Sequence, residues 1–360
     1  MTLLKSALAA AAAATVLWGA TASADEYYEG KTITCVVPYA PGGGTDSFFR
    51  VVVPHLSRTI PGSPDIIINN MSGAGGLKAN NYASNEMPND GSEMLCAPWL
   101  SVAQLTRREG VRFDYSRMRA VGGETAINTA VVNKNIMIDG DRTTAGQGSQ
   151  PLIVAGLSPS STLDLRQRLG LDILGIDYLY IPGYRGQAKQ FPAFLSGEIS
   201  LIGTNYGSFA ATVGEALVDQ GPGMLWVEYD KTDADGNVLP RSTQLAELGV
   251  PTLAELHEAM HGSAPSGPHW DAYKTLNSMT TMGLSIWLPE GTPDEAFDAL
   301  KAGWDALPSD PEFIAAHEKA FGKPVGFVPY EMVAAAAASI GDIPEDMVQF
   351  YQDYIAEGEQ

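Results

Sequence analysis

The chain reads CVVPYAPGGGTD at residues 35–46, where an apolar run meets a glycine-rich turn. The apolar residues from Ile33 to Val37 predict a buried strand, and the spacing of apolar residues between 46 and 60 predicts a helix that begins at Thr45 or Asp46. Such a turn directs backbone N–H groups and the positive end of a helix dipole towards one point. The stretch therefore predicts a site for a small anion.

The same alternation of strand and helix continues along the chain. Strands are predicted at residues 65–69, 93–97, 129–132, 152–155, 178–181, 197–203 and 225–227, and helices at 77–84, 162–169, 187–195, 293–306, 311–320 and 332–340. Pro54 is expected to end or kink the first helix. This order predicts an α/β fold with two domains, each a mainly parallel sheet flanked by helices.

The domain boundaries are predicted from the same pattern. Residues 25–124 and 250–345 form a discontinuous first domain, residues 125–249 form the second, and residues 346–360 form a C-terminal tail. The connecting strands are expected to cross near Gly123 and Gly249. Three polar insertions, at residues 139–150, 229–243 and 262–272, are rich in Gly, Pro, Asp and Ser and predict surface loops.

The first 24 residues have the pattern of a secretory signal peptide. Lys5 precedes an apolar run at residues 7–19, and Ala22-Ser23-Ala24 forms a cleavage site, so we expect export to the periplasm and cleavage after Ala24. A membrane anchor is the alternative, but the run is short for a bilayer. The net charge of −20 opposes binding to nucleic acid or to anionic lipid.

The two cysteines, Cys35 and Cys96, fall on predicted strands that are neighbours in a doubly wound sheet. The periplasm permits a disulfide, but a bridge across adjacent parallel strands demands awkward geometry. We therefore expect two buried free thiols.

The glycine turn does not fit a nucleotide site. A dinucleotide fold needs G-x-G-x-x-G and an acidic residue after the next strand, which here ends in Asn69-Asn70, and no P-loop lysine follows the glycines. No cofactor is expected. Asp46 is interpreted as a helix cap, with orientation of the loop or of a ligand-bridging water as the alternative. A second turn, from Pro182 to Gln187, repeats the strand–glycine–helix pattern, and Arg185 there pairs either with an anion or with a surface carboxylate.

Two segments carry a family resemblance. The stretch from Val37 to Asp46 resembles the first loop of the Bug-type periplasmic receptors of tripartite tricarboxylate transporters, and the stretch from Asn70 to Gly76 resembles their second signature. Further matching segments follow in the family's order at residues 90–91, 184–186, 197–201, 250–255, 289–293 and 310–312. The resemblance covers nearly all of the chain after residue 24.

The resemblance implies a monomeric, non-enzymatic binding protein of the Venus-flytrap type. Two facing loops, from Tyr39 to Asp46 and from Gly183 to Gln187, would hold a small carboxylate, either aromatic or dicarboxylic. The protein would deliver it to membrane permease subunits. Trp99 is either an aromatic wall of the pocket or a packing residue. Many members of that family are expected to have an acidic residue at the position of Asn205. Their motif usually runs directly from Pro to Tyr, whereas here Gly183 lies between Pro182 and Tyr184. The candidate ligand-binding residues are Tyr39, Pro41, Gly42, Gly43, Gly44, Thr45, Asp46, Ser72, Gly73, Ala74, Trp99, Tyr184, Arg185, Gly186, Gln187, Asn205 and Tyr206.

The sequence His257-Glu258-Ala259-Met260-His261 indicates a different class of protein. An H-E-x-x-H helix places two histidines on one face to bind zinc, with the glutamate as general base. A secreted zinc hydrolase is therefore one alternative function, with Glu290 or His269 as the third ligand. A carboxylate sensor is another. We interpret the motif as an exposed helix end that binds zinc or nickel only adventitiously.

Overall fold

The computed structural model describes residues 27–184, 187–206, 214–280, 282–321 and 326–359. The predicted signal peptide lies outside these residues. None of the described helices is both long enough and apolar enough to cross a membrane.

The first third of the described chain alternates strands and helices. Its elements are β1 (Thr32–Val37), α1 (Gly44–Thr59), β2 (Asp65–Asn70), α2 (Leu77–Asn85), β3 (Glu93–Pro98), α3 (Ser101–Leu105) and β4 (Arg119–Thr125). These bounds confirm the predicted strands and helices of this region. Of the two effects expected of Pro54, it does not end the helix, because α1 continues through that residue to Thr59.

The middle of the chain forms a second set of elements. They are β5 (Asn128–Asn133), β6 (Ile153–Ala155), α4 (Thr162–Leu174), β7 (Leu179–Ile181), α5 (Gln187–Leu195), β8 (Leu201–Asn205), β9 (Gly223–Glu228), α6 (Thr243–Glu247), α7 (Leu253–His261) and α8 (Pro268–Ser278). The remainder consists of β10 (Met282–Leu288), α9 (Asp294–Ala306), α10 (Pro311–Phe321), β11 (Phe327–Val328), α11 (Tyr330–Ser339) and α12 (Glu345–Glu357).

The strands form two sheets, which confirms the predicted α/β architecture. A six-stranded sheet has the order β11-β4-β10-β3-β1-β2, and a five-stranded sheet has the order β7-β6-β8-β5-β9. Most strands of each sheet run in one direction, as predicted, but the sheets also contain reversed strands. Only β2-β1-β3 and β7-β6-β8 are parallel, whereas β10 and β5 run antiparallel to their neighbours. The reason is that each of these strands enters its sheet from the edge at which the parallel strands end.

A short connection joins the carboxyl edges of the two sheets. Strand β4 is antiparallel to β10, which is antiparallel to β3, so β4 and β3 end at the same edge. Residues 126–127 then lead into β5, whose first residue, Asn128, pairs with Asn205 at the end of β8. The carboxyl edge of each sheet therefore lies next to this two-residue connection.

After Gly249 the chain first packs on elements of the second unit. Helices α7 and α8 pack on α4 of the second unit, and the chain reaches the first sheet only at Met282, which pairs with Thr125. The predicted surface loop at residues 262–272 also includes the start of α8, where Trp270 and Ala272 are buried.

The segment predicted as a C-terminal tail contains a helix, α12. Tyr351 and Tyr354 of α12 are buried, and the Tyr351 hydroxyl donates to the carbonyl of Ala272. Arg168 of α4 donates to the carbonyl of Tyr354. The helix is therefore packed against the second unit, although the chain leaves from the first.

Strand β1 is buried on both faces, as expected for the centre of a parallel sheet. Ile33, Cys35 and Val37 contribute to one apolar cluster, beneath α1, α9 and α10, and Val36 contributes to the other. This alternation holds the end of β1, and hence the glycine turn, in a fixed position.

Cys35 and Cys96 form a disulfide, so the expectation of two free thiols is wrong. Their strands are neighbours, as predicted, and both side chains belong to the same apolar cluster. Their Cα atoms are 5.6 Å apart, within the usual range for a disulfide, so these adjacent parallel strands accommodate the bridge.

Candidate ligand-binding site

Each sheet contains a topological switch point. In the first sheet, β1 leads through α1 to β2 on one side, and the chain returns through α2 to β3 on the other side. In the second sheet, β6 leads to β7 on one side and the chain returns to β8 on the other. In open α/β sheets, ligands bind outside the carboxyl ends of the strands at such points. Since both edges adjoin residues 126–127, we place the candidate site at these carboxyl ends.

The loop after β1 exposes its backbone. Residues 40–44 are exposed, and the first hydrogen bond of α1 runs from the N–H of Ser47 to the carbonyl of Gly43. The N–H groups of Gly44 and Thr45 therefore have no acceptor within the helix. A Cβ at Gly42 or Gly44 would meet no atom within 4 Å, so there is open space above the turn. A small anion can approach the helix N-terminus there.

Asp46 holds the backbone of this loop in position through hydrogen bonds. Its side chain is fully buried, and its Oδ2 accepts hydrogen bonds from the N–H of Gly42 at 2.8 Å and from Arg50 at 2.7 Å. Its Oδ1 accepts from Asn70 at 2.9 Å. The helix cap is Gly43, and Asp46 makes no capping bond, so the alternative of loop orientation is the correct one. Both carboxylate oxygens are thus occupied by groups of the loop and its neighbours.

We expect an Asp46→Asn variant to be less stable by about 2 kcal/mol at neutral pH, because one acceptor becomes a donor facing the N–H of Gly42. The hydrogen bond from Arg50 is the main cause that lowers the pKa of Asp46 to about 2 from an ordinary value of 3.8. A lowered pKa gives stability that is present above pH 3.8 and is lost as the pH falls towards 2. Urea denaturation of both proteins between pH 7 and pH 2 measures this difference.

The difference between the two proteins should shrink as the pH falls through that window, since the protonated carboxyl no longer pairs with Arg50. A difference that stays constant from pH 7 to pH 2 would contradict the proposed role of the charge. Asp305→Asn, at an exposed ion pair with Lys301, is the matched control and should change stability little.

The loop after β2 lies beside the first loop. The Asn70 side chain donates to the carbonyl of Tyr39 at 2.9 Å, and the Tyr39 hydroxyl donates to the carbonyl of Gly75 at 3.5 Å. The predicted residues Ser72, Gly73 and Ala74 are exposed in this loop. The structure therefore brings both predicted loops of the first sheet together.

Arg108 is a residue that the sequence analysis missed. Its Nη2 lies 4.0 Å from the position that a Cβ on Gly75 would occupy, and no described carboxylate is within ion-pair distance of it. Burial raises the pKa of the Tyr39 hydroxyl, and the positive charge of Arg108 opposes that rise. An exposed cation thus stands beside the second loop, where no sequence motif indicated one.

Trp99 follows β3 at the first switch point, but it packs in the core. Its side chain is buried, and its ring centre lies 6.1 Å from that of Tyr115 and 5.6 Å from that of Trp287. Of the two alternatives left open by the sequence, the packing residue fits these contacts. Its indole N–H is buried without a partner among the described residues.

The sequence patterns also did not indicate a binding role for residues 156–161, the loop at the second switch point. Asp164 occupies the same place in α4 that Asp46 occupies in α1: it is buried, and its Oδ2 accepts from the N–H of Ser158 at 2.8 Å and from the Tyr180 hydroxyl at 2.7 Å. Burial raises the pKa of its carboxyl. Ser161 caps α4. A Cβ on Gly156 would lie 2.3 Å from Tyr180, so glycine is required there.

The predicted loop after β7 adjoins this one. The N–H of Tyr184 donates to the carbonyl of Gly156 at 2.9 Å, and the Tyr184 hydroxyl donates to Glu198. Asn205 and Tyr206 stand at the end of β8, on the other side of the switch point. Arg185 and Gly186 lie outside the described residues, and Gln187 is described only as the first residue of α5.

The H-E-x-x-H segment lies away from these loops, at the end of α7. Among the described residues, no third Asp, Glu, His or Cys joins the two histidines in a metal-binding group. Glu290 pairs with Arg117, and His269 packs against Phe350 and Tyr354. The two residues suggested as third zinc ligand are therefore engaged elsewhere.

Comparisons with known proteins identify the fold. No protein-family model and no curated protein sequence matches this chain. Among solved structures, a TctC solute-binding protein from Polaromonas is 17% identical, with 92% of this chain and 99% of that chain covered and a TM-score of 0.64. A Rhodopseudomonas palustris protein with adipate is 20% identical, with 90% and 98% covered and a TM-score of 0.58. MatC from the same organism, with bound malate, is 16% identical, with 90% and 99% covered and a TM-score of 0.55. The chain therefore has the two-domain fold of the TctC solute-binding protein.

Proposed function

We propose that this chain is a periplasmic solute-binding protein that captures a small carboxylate between its two sheets and delivers it to a membrane permease. The observation that carries the proposal is the pair of switch points that meet across residues 126–127, each with a strand–turn–helix loop. The periplasmic location rests on the predicted signal peptide, and the permease on the family resemblance.

The carboxylate is held by local dipoles. The net charge of −20 repels an anion at long range, so the attraction must come from groups within a few ångströms. The unpaired N–H groups of Gly44 and Thr45 and the dipole of the 16-residue α1 supply it on one side. The loop at residues 156–161, with the N-terminus of α4, supplies it on the other.

Binding closes the two domains. A ligand that contacts both loops favours the closed arrangement, because only in that state are the two sets of contacts made together. No covalent chemistry is required. An uptake receptor needs micromolar affinity or better, which corresponds to about −8 kcal/mol.

We further propose that the ligand carries two carboxylates. Malate and adipate, found in two of the similar structures, are both dicarboxylates. In this chain, Arg108 lies beside Gly75 in the loop after β2. The hydroxyl of Tyr39, in the loop after β1, donates a hydrogen bond to the carbonyl of the same glycine. One carboxylate would bind at the N-terminus of α1, and the other would lie near the Arg108 guanidinium.

An Arg108→Ala variant should bind a dicarboxylate about fivefold more weakly, the loss typical of an exposed ion pair, and a matched monocarboxylate with nearly unchanged affinity. Isothermal titration calorimetry with both compounds measures this difference, which should diminish at high salt. Arg112→Ala, which removes the same charge from an exposed neighbouring position, is the control. Equal losses for the two variants would contradict the role of Arg108.

Native mass spectrometry of protein purified from the periplasm, without added ligand or chelator, tests the function itself. A bound organic acid of a few hundred daltons or less would support the receptor and identify its ligand. Tightly held zinc without an organic ligand, together with hydrolytic activity lost in Glu258→Gln, would overturn it in favour of a hydrolase.

A further inference from the structure

The two histidines of the H-E-x-x-H segment lie side by side on the last turns of α7. His257 and His261 are four residues apart, a spacing that brings side chains together on a helix. Their ring centres are 4.5 Å apart, with an angle of 46° between the ring planes. His257 is half-buried and His261 is exposed.

Hydrogen bonds to backbone carbonyls assign the tautomer of each ring. The Nδ1 of His257 lies 2.9 Å from the carbonyl oxygen of Ser263, and the Nε2 of His261 lies 3.1 Å from that of Leu174. A carbonyl oxygen only accepts hydrogen bonds, so these two nitrogens carry the hydrogen atoms. In the neutral rings, the lone pairs are therefore on Nε2 of His257 and Nδ1 of His261.

This is the arrangement found around histidines that bind metals. A metal-binding histidine usually donates its other ring N–H to a carbonyl or carboxylate, which sets the orientation of the ring. An ion about 2.1 Å from two imidazole nitrogens places the ring centres about 4.5–5 Å apart at coordination angles between square and tetrahedral. The observed separation of 4.5 Å falls in this range.

The site is open to solvent. His261 lines a cavity of about 320 Å³ together with Thr143, Gln147 and Asp177. Among the described residues, no further Asp, Glu, His or Cys completes a three-ligand group, so water must fill the other coordination positions. A site with two protein nitrogens and water differs from a catalytic zinc site, which has three protein ligands.

We propose that His257 and His261 bind one divalent first-row transition ion, with water as the remaining ligands. Cu²⁺ should bind most tightly and Ni²⁺ and Zn²⁺ more weakly, because affinity for nitrogen ligands follows that order. The ion would join α7 to the end of α4 through the Leu174 carbonyl, and it would not take part in carboxylate binding. The proposal is independent of the proposed function.

The test is a titration of the tag-free chain with CuCl₂. Calorimetry measures the affinity and the number of ions bound, and electron paramagnetic resonance detects the nitrogen ligands. We expect one Cu²⁺ per chain with two nitrogen ligands. His257→Gln and His261→Gln should each weaken binding by roughly tenfold or more, since loss of a ligand should cost at least as much as loss of a partner in the outer shell. Circular dichroism verifies that each variant is folded.

Two controls separate this pair from general metal adsorption. His269→Gln removes an exposed histidine elsewhere and should leave affinity unchanged. Ala259→His/His261→Ala keeps the number of histidines but places them two residues apart, on different faces of the helix, and should bind as weakly as the single variants. Undiminished affinity in a folded His257→Gln/His261→Gln variant, or in the spacing variant, would overturn the proposal.

Discussion

A Gly43→Val variant is expected to lose carboxylate binding while it keeps its fold. Gly43 has φ −75° and ψ 166°, an extended conformation that any residue adopts. A Cβ there would contact only the carbonyl of Ala40, at 3.4 Å. The branched valine side chain would instead occupy the space above the turn, in front of the N–H groups of Gly44 and Thr45. We expect affinity to fall by about a hundredfold, equivalent to about 3 kcal/mol.

Calorimetry with the ligand identified by mass spectrometry gives the affinity, and thermal unfolding gives the stability. Gly43→Ala is the matched variant: it adds the same Cβ without the branches and should retain most of the binding. Gly42 is unsuitable, because its φ of +80° would strain the backbone of any larger residue. Wild-type affinity in folded Gly43→Val protein would reject the assignment of this loop.

Replacement of both cysteines, in a Cys35→Ala/Cys96→Ala variant, is expected to lower the free energy of unfolding by about 4 kcal/mol. The disulfide closes a loop between residues 61 positions apart, and the entropy that it removes from the unfolded chain grows with loop length. Urea denaturation of wild type and variant at pH 7 measures the difference. The effect should be large because both residues are also fully buried.

Reduced wild-type protein, unfolded and titrated under the same conditions, separates the cross-link from the change of side chain. It should lose nearly as much stability as the double variant. Thiol titration of unfolded, unreduced protein should find no reactive thiol. Two reactive thiols, or equal stability of the oxidised and reduced proteins, would show that the bridge does not form and would restore the original expectation of free thiols.

Two loops of the candidate site could be predicted from the sequence, whereas a third loop and Arg108 could not. The loops at residues 38–46 and 71–76 follow strong strand signals and contain runs of glycine, so local composition identified both. The loop at residues 156–161 contains a single glycine, and its role follows from the position of β6 between β7 and β8. Arg108 is remote in sequence from every motif, and only the folded chain places its guanidinium beside Gly75, 4.0 Å from the position of a Cβ there.

Local patterns thus determined the α/β class, the bounds of most helices and strands, and the first pair of loops, because hydrophobic periodicity and turn chemistry act over a few residues. The tertiary structure alone decided the pairing of Cys35 with Cys96, the antiparallel entry of β5 and β10, and the packing of α12 on the second unit. It also decided the positioning role of Asp46. These features depend on contacts between residues far apart in the chain, and a single sequence carries no direct record of such contacts.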